Sequence, residues 1–337
     1  MSTDDTRDFV LFQQEIDDAL ALATTGDVKY VSEKCNQLAS KNADLELDLI
    51  DAQSLLDRCV QISEEYAPPS LVIRSIHHFA CTGGSLISKC LHAMPGAHVI
   101  SEVHPLARQH VDIRKQKFTP TDTITAAFYA GVPRMDELAL KIFEKDVLLI
   151  LEQAERYGFL PIFREHSHTD YCVGEAPLAA QPMQFGALAN AKHKRLVTVR
   201  DPVDSYASLT SNGWLDHQPP TFDEYCNRYL KFLESFDETE IFYYEDFVLS
   251  PAREMTKMCA HLDIPYSGFF EQVFDVRSIS GDSGRRSSTI SARSSRKFDT
   301  ALRQELESSV TYAKLRQFLN MSIRPNEFTT SHGFERA

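Results

Sequence analysis

Apolar and polar positions alternate from Leu71 through Val72, Ile73 and Ile76 to Phe79, the period of a half-buried strand. The pattern breaks at Thr82-Gly83-Gly84-Ser85, and an apolar stretch of helical spacing runs from Leu86 to Met94, stopped by Pro95-Gly96. A short strand, His98-Val99-Ile100, follows and ends at Ser101-Glu102. Strand, glycine-containing turn, helix and strand predict a βαβ unit. Further on, the spacing predicts a long helix over 135–157 ended by Gly158, and a strand over 159–163. It also predicts a strand over 196–199 with a helix after it, a helix over 221–236, a strand over 240–244, and helices over 252–262 and 302–320. The alternation implies an α/β fold with a central parallel sheet flanked by helices. Residues 105–135 read as irregular, with Pro120 and Gly131-Val132-Pro133 as breakers.

Upstream, three amphipathic helices are expected, on Phe9, Phe12, Ile16 and Leu20, on Val28, Val31, Cys35 and Leu38, and on Leu49, Ala52, Leu56 and Cys59. Tyr66-Ala67-Pro68-Pro69 closes this stretch, because consecutive prolines stop a helix. Residues 1–68 are therefore expected to be an N-terminal helical extension, a lid, partner-docking or homodimer surface, and 69–325 the α/β domain. Nothing in the extension carries chemistry.

Charge narrows the partners. A net charge of −13 argues against nucleic acid and acidic membranes, so an anionic ligand needs local basic groups. Seven cysteines without a C-x-x-C pair suggest free thiols in a reducing compartment. The acidic MSTDDTRDF start lacks signal-peptide character, and no apolar run reaches membrane-spanning length; a cytoplasmic location is expected.

Two stretches offer anion chemistry. At the turn, glycines allow close backbone approach, and the helix start beyond presents unpaired N–H groups and a positive dipole end. It is not an ATP-binding P-loop, which needs a Lys and a Ser or Thr after the last glycine; here Ser85 and Leu86 follow Gly84, and the nearest Lys is Lys89. In the second stretch, Arg200-Asp201-Pro202-Val203-Asp204-Ser205-Tyr206-Ala207-Ser208, Asp201 is placed as an N-cap and Pro202 as the first helical residue. Arg200 then ends a strand and Ser208 lies about two turns into the helix, so the two can grip one phosphate from two sides.

These stretches resemble those of sulfotransferases. Cys81-Thr82-Gly83-Gly84-Ser85 lies over that family's 5′-phosphosulfate loop, with Cys81 where a Lys or Arg is usual. Arg200 and Ser208 match the spacing of its 3′-phosphate motif. Tyr244-Glu245-Asp246-Phe247, with Pro251 and a helix ending in Leu262-Asp263-Ile264-Pro265, resembles its Y-E-D-L segment. Ser283-Gly284-Arg285-Arg286-Ser287 occupies the place of its C-terminal phosphate loop, without R-K-G-x-x-G. The likeness runs over about residues 70–300.

The resemblance implies a P-loop NTPase-like sulfotransferase fold and an enzyme using 3′-phosphoadenosine 5′-phosphosulfate, without a metal, to sulfonate a hydroxyl or amine of a small-molecule, lipid or carbohydrate acceptor. The N–H groups of Thr82, Gly83, Gly84, Ser85 and Leu86 would then cradle the phosphosulfate, and Arg200, Ser208 and Arg285 or Arg286 the 3′-phosphate. Residues 278–297, with eight Ser and five basic residues, read as a solvated loop or as a cationic flap over the ligand.

For the base, Arg164-Glu165-His166 resembles the Lys-x-His of cytosolic sulfotransferases, and Glu102 stands near the position of the tyrosylprotein sulfotransferase glutamate. Imidazole accepts a proton near neutral pH without environmental help, which favours His166 over Glu102. Two other readings stay open: a nucleotide-dependent kinase with Asp201 on magnesium, and a non-catalytic interaction protein with a degenerate nucleotide site.

Overall fold

The structure is a computed structural model that describes residues 71–109, 111–276, 278–281, 289–291 and 305–319. The three expected N-terminal helices, the extension boundary and any dimer surface there lie outside the described residues, as do Arg285 and Arg286.

The chain folds as α/β around a five-stranded parallel sheet in the order β2-β3-β1-β5-β7. The strands are β1 Val72–His78, β2 Ala97–Val103, β3 Leu160–Glu165, β5 Lys192–Val199 and β7 Ile241–Tyr243. The two-residue strands β4 Val173–Gly174 and β6 Asp216–His217 pair separately. The helices that matter here are α1 Gly84–His92, α2 Thr123–Tyr129, α3 Met135–Tyr157, α4 Ser167–Tyr171, α5 Pro202–Ser211, α6 Phe222–Leu233, α7 Tyr244–Leu249 and α8 Pro251–Leu262.

β1 is the central strand, hydrogen-bonded to β3 on one side and β5 on the other. Its alternation divides the core. Ile76 packs with Leu86, Ile87 and Leu91 of α1 and Met255, Met258 and Leu262 of α8. Ile73 points the other way, onto Phe143, Val147 and Leu151 of α3. Phe79, the first residue past β1, is buried among α6 aromatics and stacks on Tyr229 with 4.6 Å between ring centroids. Burying a ring of that size holds the following turn against the sheet, by about 3–5 kcal/mol on truncation.

The structure moves several expected boundaries. α1 begins at Gly84, two residues early, because Gly83 adopts a left-handed φ of 96° and serves as its N-cap. β5 starts at Lys192 rather than 196, since ion pairs carry its polar half: Lys194 with Asp263 and Arg195 with Glu240, each at 2.8 Å. The stretch 105–135 contains a helix, α2, capped by the Asp122 side chain accepting from Thr125 N at 3.0 Å. The 240–244 strand is shorter, as Tyr244 opens α7.

Candidate active site

Parallel strands bring every loop that leaves a strand's C-terminal end to one edge of the sheet, where ligands bind in open α/β folds. Five such exits converge here: the turn after β1, Glu102 near the end of β2, Arg164 on β3, Arg200 after β5 and Tyr244 after β7.

Both turn glycines are required by close neighbours. A Cβ on Gly83 would overlap the Tyr244 ring, and one on Gly84 the His78 ring. Cys81 also takes a left-handed φ, of 63°. The Thr82 side chain serves the turn itself: Oγ1 donates to Phe79 O at 2.8 Å and its N–H donates to the same carbonyl at 3.3 Å. Ile87 N is bonded to Gly83 O at 3.2 Å, so the N–H groups of Gly84, Ser85 and Leu86 are those the helix start leaves without an intrahelical acceptor. Of the expected cradle of residues 82–86, the Thr82 N–H is bonded within the turn, and Leu86 offers only its backbone, its side chain being in the core.

Arg200 joins the two sequence stretches. Its Nη1 lies 3.4 Å from Cys81 O in the turn and 3.4 Å from Ser208 Oγ on α5. Its guanidinium sits over the Tyr244 ring, 5.0 Å from the centroid. Among the described residues its buried Nε has no hydrogen-bond partner. Asp201 is occupied as the α5 cap, Oδ1 accepting from Val203 N at 2.9 Å and Asp204 N at 3.2 Å. Its own N–H donates to Glu245 Oε1 at 3.0 Å, which ties α7 to the same corner.

The second half of the site is a cluster around Arg164, which sequence reasoning noted only as a stand-in for a lysine. Arg164 is 2% exposed and fully engaged. Nε donates to His78 Nε2 at 3.0 Å, Nη1 to Ser101 Oγ at 2.9 Å and to Ser280 O at 3.1 Å. Nη2 donates to Ser85 Oγ at 3.2 Å and pairs with Glu102 Oε1 at 2.6 Å. A cation thus reaches the turn from the neighbouring strand, where the turn itself offers Cys81. The pairing Ile76↔Arg164↔Ser101 across β1, β3 and β2 is what aligns it, and no linear motif reveals it.

Glu102 sits at a bulge in β2 with φ 59°, a strained conformation for a non-glycine residue. Its Oε2 is buried, makes no hydrogen bond among the described residues, and lies 3.4 Å from His166 Nε2. Burial pushes its carboxyl above the usual range, and Arg164 offsets this only in part. His166 Nδ1 is 2.9 Å from Thr169 Oγ1, which in turn bonds Gln109. His78 is held well below the ordinary imidazole value, first by burial and then by Arg164. The other nearby histidines are engaged with carboxylates, His104 with Asp170 at 3.2 Å and His168 with Asp216 at 3.6 Å.

On the opposite face of β1, Ser75 Oγ lies 2.8 Å from His77 Nε2, and His77 Nδ1 lies 2.9 Å from Glu165 Oε2. The order is that of a serine-nucleophile relay. Ser75 is fully buried, however, and the adjoining cavity leaves a water's centre about 20 Å³, room for about one water. No acyl group reaches Ser75 there, and the chain of bonds ties β1 to β3.

No family model and no curated protein matches the chain. Similar solved structures include sulfotransferases. One, from the olefin synthase of Synechococcus PCC 7002, is 15% identical with a TM-score of 0.47, over 75% of this chain and 96% of that one. Another, from the curacin biosynthetic pathway, is 13% identical with a TM-score of 0.45, over 75% and 99%. A sulfotransferase from Alicyclobacillus acidocaldarius is 17% identical with a TM-score of 0.38, over 76% and 97%. The likeness is distant, and what the site can do rests on its own side chains. Among the described residues no helix is long and apolar enough to cross a membrane.

Proposed function

We propose that this chain is a sulfotransferase that takes its sulfonate from 3′-phosphoadenosine 5′-phosphosulfate and passes it to a hydroxyl or amine of a small-molecule, lipid or carbohydrate acceptor. The observation that carries the reading is Arg200: one buried guanidinium within 3.4 Å of both the turn and Ser208, its Nε making no hydrogen bond among the described residues. A phosphate oxygen would pair with the charge of that guanidinium. The third sequence resemblance, the Tyr244-Glu245-Asp246-Phe247 segment, supports the reading because its Tyr244 ring lies against the same guanidinium. Asp201, the residue a kinase reading assigns to magnesium, is occupied as a helix cap.

In this reading Arg200 and Ser208 hold the 3′-phosphate, and the N–H groups of Gly84 to Leu86 with the Ser85 hydroxyl receive the 5′-phosphate. The bound donor supplies an activated sulfonate whose bond to the phosphate oxygen breaks as the acceptor attacks. Arg164 places positive charge beside the turn, where that oxygen becomes negative. Glu102 takes the acceptor proton on Oε2, which makes no hydrogen bond among the described residues beyond the 3.4 Å approach of His166 Nε2, and burial makes the carboxyl more basic than usual. His166, held by Thr169 at Nδ1, sets the position of Glu102 from the other side. This reading prefers Glu102 to His166, the opposite of the order drawn from intrinsic basicity alone.

Calorimetry separates the readings. Adenosine 3′,5′-bisphosphate should bind without divalent metal, and ATP with magnesium should not compete. Binding of ATP with magnesium and none of the bisphosphate would replace this reading with the kinase one.

A further inference from the structure

Residues 278–281 cross the open edge of the site, and two successive carbonyls take up its donors. Ser280 O accepts from Arg164 Nη1 at 3.1 Å and from Ser101 Oγ at 3.1 Å. Gly281 O accepts from Ser85 Oγ at 3.1 Å. Ser280 Oγ fastens the segment by donating to Ser101 O at 2.8 Å. Gly281, at φ 64°, lies so close over Glu102 that a Cβ there would overlap the carboxylate. The segment thus takes up a guanidinium and two hydroxyls and covers the carboxylate next to them.

We infer that Ser280–Gly281 is a built-in stand-in for an anionic ligand, an autoinhibitory strap whose two carbonyl oxygens occupy the places of sulfonate or phosphate oxygens and which an incoming anion displaces. The inference rests on the proposed function for the identity of the nucleotide, and on the contacts alone for the competition. A neutral carbonyl accepts more weakly than a charged oxygen, by roughly a factor of two in bond strength, so the exchange favours the anion once it arrives. While the strap is seated, Gly281 lies against the Glu102 carboxyl on its Oε1 side, so that side of the carboxylate is covered in the absence of ligand. Apparent affinity for the anion is reduced by the fraction of molecules with the strap seated. Gly is needed at 281 because nothing larger lies flat on the Glu102 carboxylate.

The test uses the full chain and two strap variants, Gly281→Ala, which cannot seat over Glu102, and Ser280→Ala, which loses only the fastening bond to Ser101. Inorganic sulfate and adenosine 3′,5′-bisphosphate are titrated separately by calorimetry or thermal shift. Both variants should bind sulfate about threefold more tightly or better, the effect of weakening a competitor by one hydrogen bond. Tighter sulfate with no bisphosphate binding in any form leaves the strap standing and removes the nucleotide reading. Unchanged or weaker sulfate binding in both variants, or no sulfate response in any form, overturns the strap.

Discussion

The carboxylate of Glu102 lies between two basic residues, Oε1 at 2.6 Å from Arg164 Nη2 and Oε2 at 3.4 Å from His166 Nε2. The two residues that compete in the sequence for the role of base are therefore one unit in space. Glu102→Gln should lower turnover by at least about a hundredfold, the usual worth of a general base, and still bind the bisphosphate. His166→Ala should lose less. Because burial raises the Glu102 carboxyl, the acid limb of the pH–rate profile should lie above the ordinary value of about 4.3 and vanish in Glu102→Gln. Turnover would be followed with an acceptor found by labelled-donor screening. A nearly normal Glu102→Gln with a dead His166→Ala would return the base to His166.

Arg200→Ala should weaken bisphosphate binding by about 2–4 kcal/mol, the range for losing one partner of a buried charge contact. Ser208→Ala should lose less, as a neutral hydroxyl contributes about 0.5–1.5 kcal/mol. Equal affinity of Arg200→Ala and the unaltered chain, measured by calorimetry, would detach this guanidinium from the ligand.

Gly83→Ala tests the turn. The new methyl meets the Tyr244 ring, and the left-handed backbone at 83 resists a side chain. Moving Tyr244 disturbs the surface on which Arg200 rests. Loss of about 1–3 kcal/mol in denaturant stability, together with weaker bisphosphate binding, is expected. A variant as stable as the parent would show that the turn is not packed this tightly.

His78 links stability to pH. Arg164 Nε donates to its Nε2, so a proton there would displace that bond and set two cations together. Its folded pKa is depressed, so the stabilisation is complete above the unfolded value of about 6.5 and is lost as pH falls below it. The slope contributed is at most about 1.4 kcal/mol per pH unit. His193 and His217 shift in the same direction, so the measurement is the difference between the chain and His78→Gln in denaturant titrations between about pH 7 and 5. Equal slopes would mean that His78 is protonated without penalty.

Local chemistry was legible in the sequence. The turn at 82–85, the Asp201 cap with Pro202, and the eight-residue step from Arg200 to Ser208 depend on neighbours along the chain, and helical geometry converts that step into facing side chains. The alternation of strands and helices likewise carried the α/β class, since each element buries its own apolar face. Some local features stayed hidden: the polar half of β5 reads as loop until Glu240 and Asp263 supply partners for Arg195 and Lys194. Strand order was not legible at all. Placing β3 between β1 and β2 brings Arg164 to Ser85, Ser101 and Glu102, residues 79, 63 and 62 positions away in the chain. The bulge at Glu102 and the docking of Ser280 and Gly281 arise the same way, from sheet register and long-range hydrogen bonds. Intrinsic basicity, read from the sequence, favours His166. Burial, which exists only after folding, raises the Glu102 carboxyl, because desolvation changes a carboxylate's affinity for a proton and linear sequence does not record it.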